Sequence, residues 1–301
     1  MTQTEILYNV PNEKYHGEWL DYISSTKLKK YATSPMAYKD SLDAKNKPTD
    51  GMKFGTVWHD LMEAKHHDNV GGHNYIGFEP KINVKTGRPY GSDTAEQMNY
   101  LMQFKQENEG KQVISFDDLN KANTMVDLIF NENIENKFRQ PFLAMFKCGK
   151  TEVSYLTSDY SQGVHIKTRK DLDGVDYIID YKTTARSLND FIWDIKDYGY
   201  DVSAAMYVMN KKLALMEQGY DFHDLDIKWY WFVQETKAPH DFALISGQEF
   251  LEVGMKKFDK LMNAHIDCTN RNSWPGVGYW SEGRVMKFNP PYSFDKLTNY
   301  L

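Results

Sequence analysis

The sequence predicts an α/β fold: a mixed central sheet flanked by helices, with a mostly helical N-terminal half. Three observations predict it. Apolar residues recur at helical spacing through most of the first half, and from Thr151 the period changes to two. A nearly continuous apolar and aromatic run, residues 227–235, then follows two further helical segments. Side chains alternate across a strand but recur every three to four residues on a helix, so the period separates the two. Strands, then helices, then another strand is the order of a sheet with helices on its faces.

Taken in order, a helix is predicted over 25–42, capped by Ser24 or Ser25 and carrying Leu28, Tyr31 and Tyr38. Pro35, after Ser34, should break or kink it. A second helix begins near Phe54 and turns Val57, Trp58, Leu61 and Met62 towards a core. Residues 66–93 read as a loop, punctuated by Gly71-Gly72, Gly77, Pro80, Gly87-Arg88-Pro89 and Gly91. Loops of that length are more often functional than structural. Helices are expected at about 93–109 and 117–138. Strands follow at 151–157, 163–172 and 177–182, then helices at 188–197 and 202–218. The 227–235 run reads as a buried central strand, 242–246 as its partner, and 248–267 as a closing helix.

The 301 residues fit one large domain or two small ones. With 41% hydrophobic and 26% charged residues the composition is that of a soluble globular protein. No apolar run reaches the ~20 residues of a membrane span, and the first twenty residues lack the apolar stretch of a secretion signal, so a cytoplasmic location is expected. Cys148 and Cys268 stand in no ligand spacing, which argues against a zinc site or a disulfide framework. A net charge of −6 argues against coating nucleic acid by bulk positive charge, while leaving room for a local basic groove.

The informative segment runs from Lys167 to Thr184. On its last strand Asp180 and Lys182 are two apart and project from one face, with Ile179 and Tyr181 facing the other way. If the two strands pair so that partner numbers sum to 351, Asp171 lies opposite Asp180, Leu172 pairs with Ile179 and Asp173 with Ile178, around a Gly174–Tyr177 loop. Opposed Cβ atoms lie about 4.5–5.5 Å apart, near enough for two carboxylates to share a divalent ion. The competing register, a tight Asp173-Gly174 turn, sets Asp171 against Asp176, ~13 Å from Asp180, and shares nothing. The wider loop is preferred because it explains the acidic pair as well as the hairpin. On residue types alone, an exposed hairpin with surface charges fits equally well.

Asp171 followed by Ile178-Ile-Asp-Tyr-Lys-Thr-Thr184 resembles the core motif of the PD-(D/E)XK nuclease superfamily, most nearly its RecE-like and RecB-like exonuclease branches. Three more segments agree in the same order. Residues 23–38 (ISSTKLKKYATSPMAY) are similar to the helix that opens these nucleases, and Phe54-Gly-Thr-Val-Trp-His59 resembles their Gly-x-x-x-His motif. Residues 199–207 (GYDVSAAMY) resemble the helix with a Gln-x-x-x-Tyr pattern, except that Ser203 stands at the glutamine position while Tyr207 is kept. The resemblance covers roughly residues 15–210 and implies a restriction-endonuclease-like core. The chain is then expected to be a single nuclease domain over 1–301, with 1–145 contributing the histidine motif and 146–301 the catalytic core.

The resemblance implies roles. His59, through a neutral ring nitrogen, joins Asp171, Asp180 and the Tyr181 carbonyl around Mg²⁺ or Mn²⁺, ions suited to hard oxygen ligands. Lys182 orients or deprotonates the attacking water, with Tyr207 on the neighbouring helix. Glu63, one turn after His59, orients its ring or makes a surface ion pair; Glu152 binds metal through water or is a solvated strand residue. Arg169 and Lys167 share a strand face with Asp171 and contact phosphate or neutralise carboxylates. Ser203 is too short for the glutamine's contact, which is lost or bridged by water. Trp229, Tyr230, Trp231 and Phe232 read as core rather than base-stacking groups, and Lys27, Lys29 and Lys30 as a solvated helix face. The expected activity is that of a phage recombination exonuclease, resecting duplex DNA ends 5′ to 3′ for recombination or repair, with a single-strand annealing protein as partner and a homo-oligomer as assembly. The alternatives are a single-strand-specific repair nuclease, a non-catalytic DNA-binding or scaffold module, and a Mg²⁺ enzyme of small phosphates, the last disfavoured by the absence of a P-loop.

Overall fold

The computed structural model describes residues 2–44, 48–67 and 74–281. Its first half contains β1 (Gln3–Leu7), α1 (Asn12–Gly17), α2 (Ser25–Leu28), α3 (Pro35–Asp43) and α4 (Asp50–His66). Three short strands follow, β2 (Tyr75–Phe78), β3 (Ile82–Asn83) and β4 (Arg88–Pro89), and then α5 (Ala95–Glu107), β5 (Gln112–Ser115), α6 (Phe116–Phe130) and α7 (Arg139–Cys148). The second half holds β6 (Lys150–Ser161), β7 (Val164–Asp173), β8 (Tyr177–Thr184), α8 (Phe191–Tyr198), α9 (Tyr200–Glu217), β9 (Lys228–Glu235), β10 (Phe242–Ser246) and α10 (Gln248–Arg271).

The central sheet has six strands in the order β1-β6-β7-β8-β9-β10. All neighbours are antiparallel except β8 and β9. A parallel pair needs a long crossover, and α8 with α9 supplies it. Strand β8 alternates as its sequence demands. Ile179 and Tyr181 pack with Trp58, Phe142 and Phe232 under α4, α6 and α7. Ile178 packs on the other side, with Phe191, Val208, Trp229 and Trp231 under α8 and α9. Trp229, Trp231 and Phe232 are fully buried, as expected of a central strand. Helix α10 lies so close to α9 that a Cβ at Gly254 would come within 2.2 Å of the Asp201 carbonyl.

Several expectations are revised. The helix over 25–42 is two: Ser24 caps α2, a 3₁₀ turn covers Lys29–Ala32, and Ser34 restarts the chain with Pro35 at the first turn of α3. Proline lacks only an N–H that a first turn leaves unbonded, so Pro35 starts a helix instead of bending one. The second helix begins at Asp50, where Thr49 caps it. The 66–93 loop contains β2, which pairs in parallel with β5; Gly71-Gly72 lie outside the described residues. The helix expected over 117–138 ends at Phe130, because the Asn131 side chain turns the backbone by accepting from Asn133 N, and α7 begins only at Arg139. Strand β1 and helix α1, absent from the sequence reading, put the N-terminal segment on the edge of the sheet. Among the described residues no helix is long and apolar enough to cross a membrane.

Candidate active site

The hairpin register is the one that places Leu172 opposite Ile179 and Asp173 opposite Ile178. A Cβ at Gly174 would meet the Tyr177 ring at 2.1 Å, so this turn needs glycine for close approach. β7 and β8 then part after those two pairs. Asp171, freed from the ladder, accepts a hydrogen bond from Tyr181 N on its Oδ2 at 2.7 Å.

On its other edge β7 pairs with β6, and the ladder skips the Glu152–Asp171 position. Glu152 has φ 51°, the left-handed region that a residue with a Cβ adopts at a cost of about 1–2 kcal/mol. That residue reverses the alternation. Thr151 hydrogen-bonds His67 at the end of α4, whereas Val153, two residues on, packs on Ala214 of α9. Strand β7 does the same: Leu172 joins the core under α4, and Lys170 stands beside Asp173 and Lys211. The kink turns Glu152 and Asp171 together towards α4.

Helix α4 brings the third group. It is anchored by Phe54, Val57, Trp58, Leu61 and Met62, and Trp58 Nε1 donates to the buried Gln234 Oε1 at 2.8 Å. His59 is thereby held over the fork, with Nε2 3.1 Å from Asp171 Oδ1 and Nδ1 3.7 Å from Glu152 Oε1. Among the described residues His59, Glu152 and Asp171 form a group whose candidate ligand atoms all lie within 4.8 Å of one another.

Asp180 is not in that group. It pairs with Lys182, Nζ to Oδ2 2.6 Å, on the side of β8 where Ile178 packs. Lys182 Nζ also donates to the Tyr181 carbonyl at 3.1 Å and lies 5.1 Å from the centre of the Tyr200 ring. Of the expected ligand set, His59 and Asp171 stand together in that group, and Asp180 lies outside it but still feels the charge of Asp171. Glu152, expected only as an accessory residue, is the third member of the group.

Electrostatics follow from crowding charge in a dry place. Burial works against a charged His59, but Asp171 outweighs it and raises the imidazole to about 9, so the ring is protonated rather than neutral. Asp171 is held down to about 2, its burial overcome by His59, Lys182 and the Tyr181 N–H. Burial lifts Glu152 to about 7, with Asp171 adding to the rise and His59 opposing it. Burial likewise lifts Asp180 to about 6 against the pull of Lys182. Lys182 is raised, since Asp180 and Asp171 overcome the effect of its burial.

The remaining expected residues divide. Arg169 neutralises Glu152 at 3.5 Å and is bound by Ser154, Asn12 and the Val10 carbonyl, with Tyr15 beneath its guanidinium, which leaves it a clamp on the N-terminal segment. Lys167 donates to the Tyr15 and Trp19 carbonyls and fills a similar structural place. Glu63 lies 4.0 Å from His67. It does not orient His59, both of whose ring nitrogens face Glu152 and Asp171. Tyr207 packs edge-on against Trp229 with Ser25 nearby, and its phenol is pushed up by burial. Ser203 accepts from Lys29 Nζ at 3.0 Å. Lys29 is therefore not on a solvated face, and a helix-periodicity argument had no signal for it because a 3₁₀ turn intervenes.

The family described as a PDDEXK-like domain of unknown function (DUF3799) matches residues 24–280. No curated protein matches the chain. A solved crystal structure from Eubacterium rectale, named "Putative exonuclease", is similar over 96% of this chain and 98% of its own, with a TM-score of 0.53 and 13% identity, a likeness of fold. With Asp171, the Asp180-Tyr-Lys182 strand and His59 inside the matched span, the chain belongs to this PDDEXK-like family, within the PD-(D/E)XK nuclease superfamily.

Proposed function

We propose that the protein is a metal-dependent DNA exonuclease that resects duplex ends in the 5′-to-3′ direction. The observation that carries the reading is a three-donor cluster on one side of the β7–β8 fork, with a carboxylate–ammonium pair on the next strand positions. His59, Glu152 and Asp171 suit a hard divalent ion such as Mg²⁺ or Mn²⁺, offering two carboxylates and one imidazole. Their crowding suits a cation: Glu152 is pushed towards protonation and His59 carries a proton that balances Asp171. When bound, such an ion supplies Lewis-acid polarisation of a phosphate and a more acidic water.

The chain's own groups do the rest. Tyr181 N–H fixes the Asp171 carboxylate, and the Trp58–Gln234 bond fixes the helix that carries His59. Asp180 holds the Lys182 ammonium by a 2.6 Å contact, so Lys182 stays protonated and acts as a donor. In that state it orients the attacking water and neutralises charge as it grows on the phosphate oxygens. Tyr207, packed against the cores that contain Leu28 and Trp229, helps seat α9 behind this pair.

The test is a set of duplexes labelled at the 5′ or 3′ end, offered beside blunt, nicked and single-stranded DNA, with and without chelator. Chelator-sensitive release of 5′ nucleotides from duplex ends is expected. Preference for single strands would shift the reading to a repair nuclease, and no metal-dependent cleavage of any DNA would refute it.

A further inference from the structure

Lys29 has an unusual setting for a lysine on a short helical turn. Its chain runs inward over Gly199, where an added Cβ would come within 3.0 Å of Lys29 Cδ. The ammonium ends on Ser203 Oγ at 3.0 Å and lies 5.7 Å from the centre of the Tyr200 ring, the ring that Lys182 also approaches. Among the described residues no carboxylate comes within ion-pairing distance of it. Burial and the like charge of Lys182 push it down to about 8. An ammonium held by one hydroxyl beside another ammonium is costly until an anion arrives. Ser203 is short and leaves room beside the ammonium. On its outer side Lys29 borders a groove of about 460 Å³ that Lys196, Lys257, Lys260 and Trp280 also line, with the groove's Asp201 and Asp197 paired to Lys257 and Arg186.

We infer that Lys29 is a second cationic residue of the active site, which binds the scissile phosphodiester together with Lys182 in the place Ser203 leaves open. The inference rests on the nuclease reading. Two ammonium groups on one phosphate share the charge that develops on its non-bridging oxygens, and the groove beyond Lys29 gives the polyanion a basic rim.

Lys29→Met should lower kcat/KM on end-labelled duplex about 10²-fold. Its melting temperature should be unchanged or higher, because a poorly paired ammonium is removed. Lys29→Arg should keep most activity, and adding Ser203→Gln to Lys29→Met should restore at least about ten-fold by supplying an amide donor in that place. Binding of the same duplex in chelator gives a reading free of turnover: the slope of log K against log salt should shrink by about 0.9 in Lys29→Met. A turnover within two-fold of native, an unchanged salt slope, loss of activity only in step with melting temperature, or no recovery with Ser203→Gln would each overturn the inference. Lys182→Ala run in parallel separates the two readings. If Lys182→Ala is dead and Lys29→Met is native-like, only the role of Lys29 fails. If the native protein cleaves no DNA, the nuclease reading fails first and the salt slope still decides Lys29.

Discussion

Raising the pH should tighten metal binding steeply, because the groups that would hold the ion hold protons first. With His59 at about 9, roughly 1% of the ring is neutral at pH 7. The metal-bound form carries fewer protons than the free form, so apparent affinity must rise with pH. Each unit below about 9 costs about one decade, or about 1.4 kcal/mol, which amounts to roughly two decades between pH 9 and pH 7. Below about 7, Glu152 takes up a second proton and the slope should approach two decades per unit. Titration calorimetry with Mn²⁺ at pH 8, in two buffers of different ionisation heat, should report close to one proton released per ion. His59→Gln should abolish that release while Glu152→Gln should leave it. Equal heats in both buffers, together with an affinity flat from pH 7 to 9, would refute the assignment of His59 as a ligand.

Three further outcomes are expected. Lys182→Ala and Asp180→Ala should each abolish cleavage while circular dichroism and melting show a folded protein, and full activity in either would remove that pair from the mechanism. Glu152→Gly should be more stable than Glu152→Ala by about 1 kcal/mol, since alanine keeps the left-handed strain at φ 51° and glycine does not, yet both should bind Mn²⁺ more weakly; urea melts and calorimetry measure the two effects separately. Trp58→Phe leaves the buried Gln234 Oε1 without its donor and should cost about 1–3 kcal/mol of stability, with weaker metal binding because α4 loses its tie to β9; a variant as stable as native would show the bond to be dispensable.

Much of this was legible in the sequence because it depends on local periods. The pleat of β8 and the volume of its apolar residues fix which face Ile179 and Tyr181 bury, and the same pattern sets the Leu172–Ile179 register. The long apolar run of β9 announces a strand buried on both faces. What escaped depends on partners distant in sequence. Strand β1 has five residues and little apolar signal, and acquires its structure by pairing with β6. Lys29 is drawn inward by Ser203 and Tyr200, more than 170 positions away, and nothing in its own helix encodes that.

The grouping of Glu152 with Asp171 and His59 has one physical origin. Extending a period-two pleat from Leu172 and Ile179 predicts Asp171 and Asp180 face to face, but the extension assumes that the ladder continues. Here it is interrupted twice at the same level: β8 parts from β7, and β6 takes a left-handed step at Glu152. A strained non-glycine residue persists only where surrounding structure over-determines it, and such residues gather at functional sites. The step removes Glu152 from the sheet's alternation and turns its carboxylate to Asp171 and His59. Asp180 pairs with Lys182, and the charge of Asp171 acts on both. The backbone of Tyr181 serves both groups, since its N–H holds Asp171 and its carbonyl holds Lys182. Any substitution that shifts Tyr181 in the core under α4 should therefore disturb metal binding and the lysine together, and its ring also lies 5.5 Å from the His59 ring.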